Sequence, residues 1–210
     1  MTLRIGIIGC GGIANGKHMP ALKKVKEAEM VAFCDLIEER AEKAAVEFGA
    51  AEASVYTDYQ EMLAQEELDV IHVCTPNSSH SPITIAALEA DCHVMCENPM
   101  AKTTEEAQLM IDAAKRTGKK LTIGYQNRYR TDSMYLHEAC QDGELGDIYF
   151  AKGHAIRRRA VPTWGVFLDE EAQGGGPLID IGTHALDLTL WMMDNYKPKY
   201  VVGKAYRELA

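Results

Sequence analysis

The sequence predicts an α/β fold in which parallel strands alternate with helices over roughly the first 123 residues. Short apolar runs of strand length recur along this part, and the segments between them repeat apolar residues with the period of a helix. A cluster of glycines directly follows the first run, where a strand must turn sharply into a helix. Strands that alternate with helices form right-handed βαβ units, so the expected sheet is parallel.

Each expected strand is a short apolar run, and one helix carries signals at both of its ends. Strands are expected at 4–8, 30–33, 53–56, 70–74, 93–96 and 121–123, with helices at 38–48, 83–90 and 104–117. Thr103 and Glu106 form a capping box before the third of these helices, and Gly118 stands just past its end. Thr57 with Gln60 predicts the start of a further, shorter helix.

After residue 123 the pattern changes, and we expect a domain boundary near residue 124. A loop rich in proline and glycine interrupts this second part at 158–176. The other expected elements are a helix at 131–141, a long alternating strand at 147–157, an apolar helix at 178–193 and a strand near 200–203. The sequence therefore predicts a first domain at 1–123 and a second, mixed domain at 124–210.

The composition and charge exclude several classes of protein. The chain has 31 acidic and 22 basic residues and a formal charge of −9. Binding to nucleic acid without sequence specificity needs a basic surface, so this charge argues against that class of protein. With 47% apolar and 25% charged residues, the chain has the composition of a globular protein, not of a disordered one. No apolar run approaches the roughly 18 residues of a membrane span, and the N-terminus reads as a strand that enters a glycine loop rather than as a signal peptide.

The six cysteines indicate a reducing compartment. They are scattered, with no C-x-x-C pair and no spacing typical of a zinc site, and several lie in or beside apolar strands. In such places cysteine acts as a small apolar residue. We therefore expect reduced cysteines, no metal site and a cytoplasmic location. No binding to nucleic acid or to a membrane is expected.

A glycine-rich loop follows the first expected strand. Residues 9–14, GCGGIA, match the pattern G-x-G-x-x-G/A of dinucleotide-binding loops. The first glycine permits a tight turn, the second lets the backbone approach a pyrophosphate, and the small sixth residue lets the helix pack on the strand. Backbone N–H groups at the start of the helix then attract phosphate. The loop residues expected to bind a cofactor are Gly9, Gly11, Gly12, Ile13 and Ala14.

An acidic residue follows the second strand at the distance that this motif requires. Asp35 lies 21 residues after Ala14 and directly after the apolar run 30–34. A carboxylate there can accept hydrogen bonds from both ribose hydroxyls and would repel a 2′-phosphate, which favours NAD over NADP. The plainer alternative is an ordinary turn between strand and helix with a surface aspartate.

Two further polar motifs stand where the strands at 70–74 and 93–96 are expected to end. Ligands bind at the carboxyl ends of parallel strands in open α/β sheets, so this position predicts contact with a cofactor. The residues are Thr75, Pro76, Asn77 and His80 in the first motif, and Glu97, Asn98 and Pro99 in the second.

A third motif, in the second half, places a histidine and two acids on one face of an expected helix. A glycine triplet at 174–176 precedes Asp180, and His184 and Asp187 follow at i+4 and i+7. Oxidation of an alcohol removes a hydride from carbon and a proton from the hydroxyl, and histidine titrates near neutral pH. His184 is thus a candidate general base and Asp180 its partner. The alternative is a core histidine on a helix with a few polar residues.

Together these motifs resemble the Gfo/Idh/MocA oxidoreductases over nearly the whole chain. The resemblance implies a Rossmann dinucleotide-binding domain followed by an α+β domain with a mostly antiparallel open sheet. It also implies transfer of hydride from a secondary hydroxyl of a sugar or cyclitol to NAD. Glu97 and Pro99 match the E-K-P motif of the family, and Asp180 and His184 match its catalytic pair. The implied partners are a sugar or polyol substrate and, in the full-length form, further copies of the chain.

One position departs from the pattern of the family. Asn98 stands where the family usually has a lysine, thought to lie at the nicotinamide and the reacting hydroxyl. An asparagine can donate a hydrogen bond and position a substrate, but it carries no charge to stabilise an alkoxide. Three outcomes stay open. His184 suffices as the base, another cation such as Lys102 substitutes, or the chain binds NAD without turnover as a regulatory protein.

Weaker signals concern the start and the length of the second domain. In the family, the region matching 125–129 lies near the cofactor and the hinge between domains. Gln126 and Asn127 are therefore candidates for cofactor binding, with a structural role between domains as the alternative. The second domain, at about 87 residues, is shorter than is usual in the family. We therefore expect the chain to be the N-terminal part of a longer protein, with a truncated second domain.

Overall fold

The computed structural model describes residues 2–159 and 161–206, which divide into two compact units. One comprises the described parts of Met1–Tyr125 and Arg157–Asp180, and the other comprises those of Gln126–Ile156 and Ile181–Ala210. The chain therefore leaves the first unit after Tyr125 and returns to it for the segment 157–180. The sequence pattern does not indicate this return.

A six-stranded parallel sheet lies at the centre of the first unit. Its strands are β1 (Leu3–Ile8), β2 (Ala28–Cys34), β3 (Ser54–Tyr56), β4 (Val70–Val73), β5 (His93–Cys96) and β6 (Leu121–Ile123). They are hydrogen-bonded in the order β3-β2-β1-β4-β5-β6, and every neighbouring pair is parallel. The parallel sheet predicted from the apolar runs is confirmed.

Helices connect the strands and continue into the second unit. The α-helices are α1 (Met19–Leu22), α2 (Glu38–Phe48), α3 (Tyr59–Gln65), α4 (Asn77–Glu89), α5 (Thr104–Thr117), α6 (Thr131–Gln141), α7 (Glu170–Gln173) and α8 (Thr183–Met193). Wider π-turns at Ala14–His18 and Leu178–Gly182 precede α1 and α8, and a 3₁₀ turn spans Gln126–Tyr129. Among the described helices, none is long and apolar enough to cross a bilayer.

The strand order reverses at β1, because β2 and β3 lie on one side of it and β4 to β6 lie on the other. The loops that follow β1 and β4 therefore leave the sheet next to each other and diverge above its carboxyl edge. Ligands bind in the crevice at such a switch point in doubly wound sheets. The topology thus places the glycine loop beside the polar motif that follows β4.

Buried apolar side chains form two clusters around the sheet. Neighbouring residues of β2 divide between them, with Phe33 in one cluster and Ala32 and Cys34 in the other. This division follows from the alternation of side chains along a strand, which points successive residues to opposite faces. Strands that are apolar on both faces are typical of parallel sheets covered by helices on both sides.

The ends of α5 carry the signals that the sequence indicates. The Thr103 hydroxyl accepts a hydrogen bond from the Glu106 N–H at 3.2 Å, and Gly118 adopts a left-handed φ of 70°. The Glu106 carboxylate does not complete the box at Thr103, because it accepts instead from the N–H of Lys102 at 3.1 Å. The expected capping box is therefore confirmed at the threonine and displaced by one residue at the glutamate.

Two helix starts differ from the prediction. Thr57 does not cap α3; Asp58 does, because its carboxylate accepts from the Gln60 N–H at 2.8 Å. The helix expected at 83–90 starts earlier, at Asn77. The first turns of α4 are polar, so they lack the apolar period from which the helix was predicted.

The strands predicted at 147–157 and 200–203 are wrong, since no strand occurs after Ile123 in the described residues. A strand needs a hydrogen-bonded neighbour, and neither segment has one within 2–159 and 161–206. The expected antiparallel sheet is therefore not observed. Around Gly153 the chain instead runs beside α8, where a Cβ would lie 2.6 Å from the Thr189 hydroxyl. The two helices predicted for this part are present.

The cap of α3 can be tested by paired substitutions. We expect Asp58→Ala to lower the free energy of unfolding by about 1 kcal/mol, because the Gln60 N–H loses its acceptor. The matched control, Thr57→Ala, is expected to change it by less than about 0.5 kcal/mol. Urea titration of both variants measures the difference, and equal losses would contradict the assignment of Asp58 as the cap.

Candidate functional site

The glycine loop after β1 depends on the absence of a side chain at Gly9. This residue has a φ of +92°, and a Cβ there would lie 2.7 Å from both the carbonyl carbon and the oxygen of Cys74. A Cβ at Gly11 or Gly12, by contrast, would meet no atom of the described chain within 4 Å. The loop therefore packs against the end of β4 and leaves an open cradle above Gly11 and Gly12.

Asn15, which the sequence motif does not single out, fastens the loop. Its side-chain amide donates to the carbonyl oxygens of Cys10 at 2.6 Å and Gly11 at 2.9 Å. Ala14 is fully buried in the core, as the close packing of helix on strand requires. The preceding residue, Ile13, is exposed. The carbonyl oxygens of Cys10 and Gly11 thus already accept hydrogen bonds from the Asn15 side chain.

Asp35 lies beside this loop, as its place after β2 predicts. One carboxylate oxygen accepts from the Cys10 N–H at 2.9 Å, and the other accepts from the Ile37 N–H at 2.9 Å. Each oxygen retains further acceptor capacity, because a carboxylate offers about four lone-pair sites. The carboxylate therefore both braces the loop and presents acceptors for hydroxyl groups.

The two cysteines next to this carboxylate, Cys10 and Cys34, have unreactive thiols. Burial, and then the negative charge of Asp35, raise the pKa of the Cys10 and Cys34 thiols to about 12. Both thiols therefore stay protonated at neutral pH, whereas a nucleophilic cysteine must be a thiolate. They act as small apolar side chains, as predicted.

The crevice fits a dinucleotide with a free ribose 2′-hydroxyl. The cradle at Gly11 and Gly12 leaves room for a phosphate close to the backbone, and the turn Ala14–His18 begins a run of helical N–H groups. Asp35 supplies hydroxyl acceptors next to the loop, and its charge opposes a 2′-phosphate. These groups match NAD better than NADP.

The motif after β4 mostly holds protein groups together. His80 is buried, and its ring nitrogens lie 2.7 Å from the Pro99 carbonyl oxygen and 2.8 Å from that of Thr75. It thereby connects the loops after β4 and β5, and its ring has no exposed edge for a cofactor. His80 thus holds these loops together, and the cofactor contact predicted for it stays a prediction. The Thr75 hydroxyl is buried without a hydrogen-bond partner in the described residues, and Pro76 is exposed.

The loop after β5 holds Glu97 in a nearly buried position. Its carboxylate lies 2.7 Å from Nε2 of His18, and its second oxygen accepts from Asn98, at 3.1 Å from the backbone nitrogen and 3.3 Å from the side-chain amide. Burial favours the neutral acid, but the hydrogen bond and charge of His18 and the N–H groups of Asn98 outweigh it, so the pKa of Glu97 lies below its usual value. Glu97 therefore helps to orient Asn98, and the cofactor contact predicted for it stays a prediction.

His18 and His72 are functional candidates that the sequence analysis missed. Their Nδ1 atoms lie 2.9 Å apart, and the two rings meet edge to face. Burial and the charge of His18 lower the pKa of His72 to about 4, against the opposing effect of Glu97. A signal exists in the sequence, because His72 is a polar residue inside an otherwise apolar strand.

The returning segment 157–180 is anchored on the first unit by the side chains of Asn77 and Lys102. The Asn77 amide donates to the Gln173 carbonyl oxygen at 2.9 Å, and the Lys102 ammonium donates to that of Glu171 at 2.7 Å. At Gly174, φ is +79° and a Cβ would lie within 2.8 Å of the Lys102 side chain. The Lys102 ammonium is thus used to anchor this segment, and a substitute role for the missing lysine is not supported.

The predicted catalytic pair is divided between the two units. Asp180 lies in the π-turn of the first unit, with its carboxylate 3.9 Å from the Arg157 guanidinium. His184 lies in the first turn of α8, in the second unit, and is half-buried. Both residues were expected on one helix at 178–193, but Asp180 lies in the π-turn that precedes α8. Their catalytic roles stay a prediction.

Asp187 is committed to an ion pair inside the second unit. The Arg128 guanidinium binds its carboxylate through two nitrogens, one of them Nε at 2.8 Å, and lies over the Trp191 ring at 5.3 Å. The hydrogen bond and charge of Asp187 raise the pKa of Arg128 against the effect of burial. This pair holds the 3₁₀ turn, which contains Gln126 and Asn127, onto α8. Asp187 is therefore not a free acid beside His184.

Comparison with known proteins agrees with this fold. Residues 3–125 match the GFO_IDH_MocA family, described as an oxidoreductase family with an NAD-binding Rossmann fold, and residues 134–208 match the C-terminal domain of the same family. The chain is 42% identical to D-glucoside 3-dehydrogenase of Escherichia coli over 99% of its length and 58% of that protein. It is 30% identical to inositol 2-dehydrogenase of Salmonella typhimurium, over 94% of the chain and 56% of that protein.

A solved structure shows the same architecture. The WlbA dehydrogenase of Chromobacterium violaceum, crystallised with NADH and UDP-GlcNAcA, superposes with a TM-score of 0.83 at 31% identity. The match covers 91% of this chain and 55% of that one, so the chain spans little more than half of the relatives it matches. The relatives named here are dehydrogenases, which gives no support to a non-catalytic alternative. The chain belongs to the Gfo/Idh/MocA oxidoreductase family, and its first unit contains the NAD-binding Rossmann domain of that family.

Proposed function

We propose that the protein is an NAD-dependent dehydrogenase that oxidises a secondary hydroxyl group of a sugar or cyclitol. The observation that carries the proposal is the open glycine loop braced by the Asp35 carboxylate, at the crevice where β1 and β4 diverge. The names of the relatives support the substrate class, since they include a glucoside and an inositol dehydrogenase.

The cofactor residues divide into those that touch NAD and those that hold them. The backbone of Gly11, Gly12 and Ile13 would bind the pyrophosphate, and Asp35 would accept hydrogen bonds from the ribose hydroxyls. Gly9 and Ala14 shape the loop, while Thr75, Pro76 and Asn77 border it at the end of β4. When bound, NAD supplies the hydride acceptor.

His184 would act as the general base that takes the proton of the substrate hydroxyl, and Asp180 would orient it or bind a substrate hydroxyl. The ion pair of Arg128 with Asp187 fixes the helix that carries His184, because Asp187 lies less than one turn further along α8. The proton therefore leaves the hydroxyl toward a side chain whose helix is held in place.

Asn98 would place its amide at the reacting hydroxyl, in an orientation held by Glu97. Its side chain donates hydrogen bonds without a charge, so it stabilises an alkoxide less than an ammonium would. Gln126 and Asn127, at the start of the second unit, would border the cofactor. The protein is therefore proposed to turn over slowly, with His184 as the main catalytic group.

Three broader expectations belong to the same proposal. The family match at 134–208 supports the expectation that copies of the protein associate through the second domain. The charge of −9 supports the absence of nucleic acid among the partners. The six free cysteines support a reducing, cytoplasmic environment.

The role of Asp35 can be tested by cofactor binding. We expect Asp35→Ala to raise the Kd for NAD about 10- to 100-fold, because both the hydroxyl acceptor and the brace at Cys10 are lost. Binding of NADP should weaken less, since the repulsion of its 2′-phosphate is removed. Calorimetric titration measures both, with Glu39→Ala, an exposed acid on α2, as the control for charge. An unchanged affinity for NAD would refute the role.

The role of His184 can be tested by turnover. We expect His184→Ala to reduce the rate of NADH formation from a glucoside or an inositol by at least about 10²-fold, with the affinity for NAD retained. Absorbance of NADH measures the rate. His154→Ala, at an exposed histidine of the same unit, is the matched control and should react as the wild type does. Equal rates for the two variants would exclude His184 as the base.

The departure at Asn98 gives the most direct test of the proposed reaction. We expect Asn98→Lys to raise the rate by up to about 10²-fold, because an ammonium stabilises the developing alkoxide. Asn98→Ala should lower it, because the positioning amide is lost. If NAD binds tightly and neither the wild type nor Asn98→Lys oxidises any member of a sugar and polyol panel, the proposed activity is wrong.

A further inference from the structure

Three titratable residues of the first unit, His18, His72 and Glu97, form a continuous hydrogen-bonded group that we call the histidine cluster. His18 ends the π-turn after the glycine loop, His72 lies in β4, and Glu97 follows β5. In the sequence, His18 lies 54 positions from His72 and 79 positions from Glu97. The side chains of His18 and Glu97 are only 7% and 12% exposed. The cluster therefore joins three elements beneath the crevice.

The hydrogens in this cluster can be assigned by elimination. Nε2 of His18 faces a carboxylate oxygen of Glu97 at 2.7 Å, and a carboxylate can only accept, so Nε2 carries a hydrogen. The two Nδ1 atoms are 2.9 Å apart, so one of them carries a hydrogen and the other accepts it. His72 therefore completes the contact in either of two ways, as a donor to a neutral His18 or as an acceptor from a charged one.

The surroundings keep His72 neutral and Glu97 ionised. The pKa of His72 is lowered to about 4, first by burial and then by the charge of His18, and that of Glu97 lies below its usual value. The charge of Glu97 also acts on the thiols of Cys74 and Cys96. Burial, with the charge of Glu97, raises their pKa, to about 12 at Cys96, so both remain uncharged. The ionised carboxylate is thus stabilised by hydrogen bonds from His18 and Asn98.

The cluster ends on the residue that departs from the family pattern. The Glu97 oxygen that does not face His18 accepts from the backbone and side-chain N–H groups of Asn98. The same oxygen packs against Gly124, where a Cβ would lie only 3.0 Å from it. The Glu97 carboxylate is therefore held from three sides, and it orients the Asn98 amide together with the Gly124 carbonyl oxygen, which lies 3.4 Å from the amide nitrogen.

We propose that His18 and His72 are positioning residues of the NAD site. His18 clamps Glu97, and through it Asn98, to the turn that follows the glycine loop, while His72 holds the His18 ring in the orientation that this clamp requires. The two ends of the crevice thereby form one rigid unit before the cofactor binds. This inference rests on the binding of NAD by the proposed enzyme and is independent of turnover.

Two substitutions of His18 separate the clamp from general stability. Glutamine can place a donor near the position of Nε2, whereas asparagine can place one near Nδ1 and cannot reach Glu97. We expect His18→Gln to bind NAD within about threefold of the wild type and His18→Asn to bind at least about tenfold more weakly. Calorimetric titration at pH 7.5 measures both, with thermal unfolding recorded in parallel.

The matched control is His93→Asn, because His93 accepts from the Lys120 N–H at 3.0 Å and lies outside the cluster. It should retain the affinity of the wild type for NAD. Equal affinities of His18→Gln and His18→Asn would overturn the inference. If His18→Asn does not fold, Glu97→Gln replaces it. This variant keeps the shape and loses the charge, and NAD binding as tight as in the wild type would again overturn the inference.

Two readouts test the role of His72 without any ligand. Nuclear magnetic resonance of protein with ¹⁵N-labelled histidine should show a coupling between the two Nδ1 atoms across their hydrogen bond, and its absence would overturn the inference. The second is the pH dependence of unfolding. The unfolded chain protonates this ring near pH 6.5 and the folded one only near 4, so stability is lost as the pH falls through this window.

The size of this effect follows from the pKa difference. The unfolding equilibrium constant should rise about fivefold between pH 6.5 and 5.5, and about sevenfold between pH 5.5 and 4.5, through His72 alone. His72→Asn, which keeps a hydrogen-bonding group near Nδ1 and does not titrate, should lack this rise. An equally steep rise in the variant would show that His72 is not held neutral. The proposed activity can fail separately from this inference. If the NAD affinities, the Nδ1 coupling and the pH dependence come out as expected but no sugar or polyol is oxidised, the proposed activity is refuted and the positioning role of the two histidines stands.

Discussion

The contact between Gly9 and the backbone of Cys74 is the constraint on which the cofactor edge depends. β1 and β4 are neighbours in the sheet, so the loop after β1 must pass against the end of β4. It can pass only where the chain has no Cβ and adopts a left-handed φ, and Gly9 meets both conditions. This passage turns the Cys10 N–H toward Asp35 and leaves Gly11 and Gly12 facing open space.

The loops around the crevice are tied to one another by side chains, because the sheet ladder ends below them. Asn15 and Asp35 hold the glycine loop, His80 joins the loops after β4 and β5, and Glu97 connects the last of these to His18. Loops that are already ordered lose less conformational entropy when a ligand binds. A polar network under the crevice is therefore consistent with a preformed site, and it explains why so many polar residues lie near the ends of apolar strands.

Several acids that look catalytic in the sequence have partners inside the protein. Glu97 is held by His18 and Asn98, and Asp187 is held by Arg128. Such pairing fixes the orientation of a carboxylate, which suits a group that positions its neighbours. Asp35 differs, since its partners are backbone N–H groups and its oxygens retain acceptor capacity. Only the contacts in the structure distinguish the acids that position other side chains from the acid that can accept hydrogen bonds from a ligand.

Local sequence determined the six parallel strands, most helices, the glycine loop and the acid after β2, because apolar periodicity and glycine spacing act over short distances. It failed for the strands at 147–157 and 200–203, since alternation shows which face is apolar and not whether a neighbour exists. The return of 157–180 to the first unit, the anchoring of Lys102 and the histidine cluster were decided by tertiary structure alone. Each joins residues more than 50 positions apart, and only the fold brings such residues within hydrogen-bonding distance.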